Sequence, residues 1–315
     1  MSIIEQATRR LEELKRAGVQ VDWQPPEATH GTASAAGMAG AASAHSLPTP
    51  SARDRAAGSV AAHALVRVGL RQSKTVQIDL MGLAEQGYLV PGAPRSSLAE
   101  EMRAIKQPLL KHAREALSSQ PGSIHANLIM LTSALPGEGK TFCALNLALS
   151  IASEVDSSVL LVDADVVRPA VMNRLGVAEH HKGLLDLLSD TSLELPEVIL
   201  KTNVPKLSVL PAGAPTAHST ELLASDAMRE LLHEMATRYP ERIVIFDAPP
   251  LLSTTESRVL ASRMGQLVMV VAAGSTPTLE LQQAFTALEH CPLVHCLLNR
   301  TSSSSEQHRY GYYTG

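Results

Sequence analysis

The sequence predicts an α/β fold, a doubly wound and mostly parallel sheet flanked by helices. Three observations predict it. Near-continuous apolar runs of strand length alternate with helical segments, the pattern of strands buried on both faces. One run leads into a glycine-rich turn ending in Gly139-Lys140-Thr141 and then into an apolar helical segment, the strand–loop–helix context of a phosphate-binding loop. Two other runs end in Asp163 and Asp247, and ligands of such sheets gather beyond the carboxyl ends of the strands.

With 315 residues, 45% of them hydrophobic and 18% charged, the chain has room for one α/β domain of roughly 200 residues plus extra segments. A net charge of −4 gives no basic footprint for nucleic acid. Cys143, Cys291 and Cys296 are odd in number and sit in apolar runs, so buried, reduced thiols of a cytoplasmic protein are expected. No run of 18 apolar residues could span a membrane, and the N-terminus lacks the order of a secretion signal. Any place at the inner face of the membrane must come through a partner.

Residues 1–20 read as an amphipathic helix, with Ile3, Ile4, Ala7, Leu11, Leu14 and Ala17 near helical spacing; it either docks onto something or frays. Residues 21–65, rich in Ala, Ser, Gly and Pro, cannot bury a core and read as a disordered linker. The main domain is expected over 66–300. It opens with a short strand at Ile78, a helical turn and an extended exit before Pro91. Ser97-Leu98-Ala99-Glu100 is a capping-box signature for a helix over 97–118, apolar along Leu98, Met102, Ile105 and Leu109, with a kink expected at Pro108. Glu100, Arg103 and Lys106 lie three apart on a neighbouring face and read, from spacing alone, as a capping Glu plus solvated charges.

Strands follow at 128–131, 158–163, 207–210, 243–247, 267–271 and 294–298, with a helix over 142–149 and a long one around 220–238. The chain closes with a polar stretch over 301–315 that holds Tyr310, Tyr312 and Tyr313, three of only five tyrosines. Ordinary packing does not account for them in a tail without a core.

The loop carries its own chemistry. Backbone N–H groups of Pro136-Gly137-Glu138-Gly139-Lys140-Thr141-Phe142, proline excepted, can point at phosphates, aided by about half a positive charge at the helix N-terminus. Lys140 can reach the β- and γ-phosphates, while Thr141 and Asp247 are natural Mg²⁺ partners. Asp163 or Asp165 can orient an attacking hydroxyl or water; Asp165, just before Arg168-Pro169, also reads as a turn or helix cap. Asn299, after the last strand, reads either as an adenine contact or as a turn residue. The generic loop has Gly six places before the lysine; here Ala134 stands there.

Together, Ala134-Leu135-Pro136-Gly137-Glu138-Gly139-Lys140-Thr141, Asp163-Ala164-Asp165-Val166-Val167-Arg168-Pro169 and Ile243-Val244-Ile245-Phe246-Asp247-Ala248-Pro249-Pro250 resemble the Walker A, A′ and B motifs of the bacterial tyrosine kinases, P-loop enzymes related to the MinD/ParA ATPases. The resemblance covers about 78–315 and includes the tyrosine-rich tail. The N-terminal residues, the linker and 99–110 are similar to tyrosine autokinases of exosortase-type exopolysaccharide loci. The resemblance implies ATP and Mg²⁺ as cofactors and autophosphorylation in trans on Tyr310, Tyr312 and Tyr313. It also implies a ring-like homo-oligomer built through an E-x-x-R-x-x-R motif, matched by Glu100 and Arg103, with Lys106 in the last position. The implied partner is a membrane polysaccharide co-polymerase, or chain-length determinant protein. Two rivals remain: a MinD/ParA-type ATPase switch, which would carry a lysine where Leu135 stands, and an inert nucleotide-bound interaction protein.

Overall fold

The computed structural model describes residues 74–92, 96–119 and 125–301. The helix expected over 1–20, the linker over 21–65 and the tail tyrosines Tyr310, Tyr312 and Tyr313 lie outside these residues.

Eight strands form one sheet in the order β1-β4-β5-β3-β6-β2-β7-β8. They are β1 (Thr75–Val76), β2 (Leu128–Ser133), β3 (Ser158–Asp163), β4 (Leu200–Thr202), β5 (Leu207–Leu210), β6 (Arg242–Asp247), β7 (Gln266–Ala272) and β8 (Val294–Asn299). Every pairing is parallel except β4 with β5. The central strands are apolar at consecutive positions because both faces are covered. In β2, Leu128 and Met130 enter one core while Ile129 and Leu131 enter the other, the two-residue alternation of a strand buried on both sides.

The helices are α1 (Leu80–Glu85), α2 (Ser97–Ser119), α3 (Lys140–Ala152), α4 (Val171–Arg174), α5 (Leu184–Ser189), α6 (Leu195–Val198), α7 (Ser219–Ala224), α8 (Asp226–Arg238), α9 (Thr255–Ala261) and α10 (Thr278–Thr286). The first core lies under α5 to α10, and the second lies under α2 and α3.

Several expectations need correction. The first strand is at Thr75–Val76, not Ile78. The side-chain amide of Asn203 takes both backbone groups of Ile78, and Asp79 caps α1 by accepting from the Gly82 N–H at 2.9 Å. Ser96, not Ser97, caps α2, its hydroxyl accepting from the Ala99 N–H at 3.2 Å. With Pro108 inside it, that helix spans 23 residues, Ser97–Ser119, one residue past the expected end. The long helix near 220–238 is two helices. Ser225 is extended and its hydroxyl accepts from the Met228 N–H, so it stops α7 and caps α8. The strand β4 has no signature in the sequence, because three residues, Leu200–Thr202, give no measurable period. Of the cysteines, Cys143 is buried, Cys291 half-buried, and Cys296, on the edge strand β8, exposed.

Candidate active site

Register places the chemistry. Asp163 and Asp247 are direct partners across β3 and β6, and Leu131 of β2 pairs with Asp247 on the other side. The phosphate loop therefore leaves β2 beside both aspartates.

Inside the loop, Gly137 (φ +83°) and Gly139 (φ +97°) occupy the left-handed region, where a side chain strains the backbone. Space forbids one at Gly139 as well: a Cβ there would lie 2.1 Å from the Asn299 Nδ2. Gly139 is also the N-cap of α3 and offers no side-chain cap, so the first N–H groups of α3 are left for an anion. The loop is braced from the sheet's edge. Asn299 Nδ2 donates to the Glu138 carbonyl at 2.9 Å, and Arg300 Nη2 donates to the Gly137 carbonyl at 2.6 Å. Glu138 is buried, and its carboxylate accepts from the Leu135 N–H at 2.8 Å and from the Thr276 hydroxyl. Its side chain thus faces the protein, leaving only backbone to meet a nucleotide.

Lys140 Nζ lies 2.9 Å from Asp165 Oδ2 with both side chains nearly buried. Thr141 donates to Asp247 Oδ2 at 2.6 Å. Asp163 Oδ2 accepts from the Ala170 and Val171 N–H groups at 3.1 and 3.0 Å. Burial, with Asp247 next, pushes the Asp163 carboxyl up to about 8. Burial also pushes Asp247 up to about 6, against the opposing pull of Lys140 and Thr141. The Oδ1 atoms of both aspartates are buried with no hydrogen-bond partner among the described residues. A hydroxyl and a carboxylate, with an orphaned oxygen beside them, fit Mg²⁺, which takes one or two protein oxygens and shares the rest with phosphates and water.

Two cavities meet at the loop. One, of about 600 Å³, is bounded by Gln86, Tyr88, Phe142 and Asn299. The other, of about 420 Å³, is bounded by Asp165, Arg168, Pro249 and Pro250. Gly137, Lys140, Thr141 and Arg174 border both. Phe142 packs on Tyr88 with ring centroids 5.0 Å apart. Gln86, Tyr88 and Arg174 carry no motif signal; only the folded chain brings them to the site.

The α2 residues do not share one face. Glu100 and Arg103 form an exposed pair at 3.0 Å. Lys106 is 5% exposed and turns inward, donating to the Ser150 carbonyl at 2.8 Å and pairing with Glu154 at 2.6 Å. The expectation of a capping Glu plus solvated charges is corrected for Lys106, which ties α2 to the end of α3.

A family model described as an AAA domain matches residues 126–280. The chain is 35% identical over 188 residues to tyrosine-protein kinase YwqD of Bacillus subtilis (strain 168), covering 59% of this chain and 76% of that one. It is 31% identical over 202 residues to tyrosine-protein kinase etk of Escherichia coli (strain K12), covering 64% of this chain and 26% of that one. Among solved structures, the kinase domain of Escherichia coli tyrosine kinase ETK is 25% identical with a TM-score of 0.54, over 79% of this chain and 97% of that one. The VpsO kinase domain is 31% identical with a TM-score of 0.51, over 66% of this chain and all of that one. The chain thus spans three quarters of YwqD but about a quarter of the length of etk.

Proposed function

This chain belongs to the bacterial tyrosine-protein kinases, and from that premise we propose that it is an ATP- and Mg²⁺-dependent autokinase that phosphorylates Tyr310, Tyr312 and Tyr313 in trans between copies. The observation that carries the reading is the convergence of Lys140, Thr141, Asp165 and Asp247 at one loop, with the Lys140–Asp165 pair at 2.9 Å.

Phosphoryl transfer needs positioning and charge more than covalent help. The loop N–H groups and Lys140 hold the phosphates. Thr141 and Asp247 would hold Mg²⁺, which when bound neutralises phosphate charge. Phosphate draws Lys140 toward itself and frees Asp165, which borders the cavity beside Pro249 and Pro250. Asp165 then accepts the proton of the incoming tyrosine hydroxyl. Asp163 suits that task less, since it is 1% exposed and Oδ2 is already held by two N–H groups; it positions the segment after β3.

The wider role follows from the family resemblance: regulation of exopolysaccharide synthesis with a membrane co-polymerase, at the inner face of the membrane, and assembly through Glu100 and Arg103. Each tail phosphate adds about −1.5 to −2 charges, enough to loosen a tail from an acidic site.

The test is phosphotyrosine formation by the full chain with Mg-ATP. Replacing Tyr310, Tyr312 and Tyr313 together with Phe is expected to remove most of the signal while ATP binding persists. ATP hydrolysis without phosphotyrosine in the unaltered chain would instead favour a MinD/ParA-type switch. A Lys140→Met chain that supports normal exopolysaccharide output would favour an inert interaction protein.

A further inference from the structure

Arg174 ends α4, and its backbone is fixed from both sides. Asp163 caps the start of that helix through the Ala170 and Val171 N–H groups. The Arg174 N–H donates to the Ala170 carbonyl at 3.0 Å, and the next carbonyl, of Leu175, accepts from the Asp79 N–H at 3.1 Å. The side chain, by contrast, is uncommitted. Arg174 is exposed and borders both cavities, and no hydrogen bond or ion pair holds its guanidinium among the described residues. Of the other cations bordering these cavities, Lys140 is engaged with Asp165 and Arg300 with the Gly137 carbonyl, while Arg168, also exposed, borders only the second cavity. Asp165 borders the second cavity, with the buried Asp163 and Asp247 behind it at the strand ends. Charge developing on a phosphoryl group there would meet Lys140 and a Mg²⁺ held by Thr141 and Asp247, and Arg174 is the exposed arginine that borders both cavities.

We propose that Arg174 is a catalytic residue, an arginine supplied within the same chain that contacts the transferring phosphoryl group and offsets the charge on its equatorial oxygens. The inference rests on the kinase reading. In the step it serves, the tyrosine oxygen forms a bond to the γ-phosphorus. The bond from that phosphorus to the β,γ-bridging oxygen breaks, and ADP leaves with the electron pair. The tyrosine proton passes to Asp165. Arg174 gains and loses no proton, so its effect is electrostatic, and an ammonium in its place cannot reproduce the two-pronged donation of a guanidinium.

The experiment compares the full chain with R174A, R174M and R174K in phosphotyrosine formation at saturating Mg-ATP, alongside ATP affinity and thermal unfolding. R174A and R174M are expected to lose about 10²–10³-fold in kcat while the ATP Kd stays within about threefold, and R174K to recover only a small part of the loss. Unchanged kcat in R174M overturns the assignment, and so does a loss confined to ATP affinity, which would mark a ground-state phosphate contact. R174M keeps the aliphatic stem, so a folding defect in R174A alone does not decide the matter. An unaltered chain that makes no phosphotyrosine overturns the kinase reading itself, a different outcome from an active chain indifferent to Arg174.

Discussion

Asp163 and Asp247 are register partners across β3 and β6, each with a buried Oδ1 that lacks a hydrogen-bond partner among the described residues. Two carboxylates so placed cannot both ionise cheaply. Burial is the larger cause: it raises Asp163 to about 8, with the Asp247 charge adding to it, and raises Asp247 to about 6.

The raised carboxyls set the pH dependence of the nucleotide-free, Mg²⁺-free protein. A folded carboxyl titrating near 8, against about 3.9 when unfolded, binds its proton more tightly in the folded state. Between those values the folded state holds more protons, so stability falls as pH rises. The melting temperature is expected to drop from pH 6 to pH 8, and D163N, which can still accept the Ala170 and Val171 N–H bonds, is expected to flatten that slope. An equally steep slope in D163N would show that another group carries it.

Gly139 has two reasons to be glycine, its φ of +97° and the Asn299 amide in the space of a Cβ. G139A is expected to cost about 1–3 kcal/mol of strain and to weaken ATP binding, because the displaced loop no longer presents its N–H groups. Adding N299A relieves the collision but not the backbone strain, so isothermal titration of the double variant should show only partial recovery of ATP affinity.

Lys106 and Arg103 are expected to separate cleanly. K106A leaves the Ser150 carbonyl and Glu154 without their cation and is expected to destabilise the chain by about 1–3 kcal/mol in denaturant unfolding. R103E changes an exposed pair and is expected to alter unfolding by less than about 1 kcal/mol while dispersing the oligomer in sedimentation. The reverse pattern would return Lys106 to the assembly face.

Lys140 supplies the fixed positive charge of the loop. K140M is expected to lower phosphotyrosine formation by at least about 10²-fold with the fold retained, as circular dichroism would report. Retained transfer would remove Lys140 from the mechanism.

Sheet and loop were legible in the sequence because their signals are local. The runs ending in Asp163 and Asp247 are apolar at nearly every position, and the turn ending in Gly139-Lys140-Thr141 follows β2 directly. What escaped depends on distant partners or on elements too short to show a period. The Ser225 break looks like helix until its hydroxyl meets the Met228 N–H. Lys106 carries the same charge as a solvated lysine, and only the packing of α2 on α3 brings the Ser150 carbonyl and Glu154 to it. Tyr88 and Arg174 reach the site by folding alone. Glu138, read as part of the phosphate cradle, spends its carboxylate on Leu135 and Thr276, a partner 138 residues away.

The central claim, transfer to the tail of a second copy, is tested most directly by mixing two chains with Mg-ATP and mapping phosphate by mass spectrometry. One chain carries K140M with its tail intact; the other keeps Lys140 but has Phe at positions 310, 312 and 313. The account predicts phosphate on Tyr310, Tyr312 and Tyr313 of the K140M chain. Phosphate confined to Tyr88 or Tyr239, or ADP release with no phosphotyrosine on either chain, would contradict it.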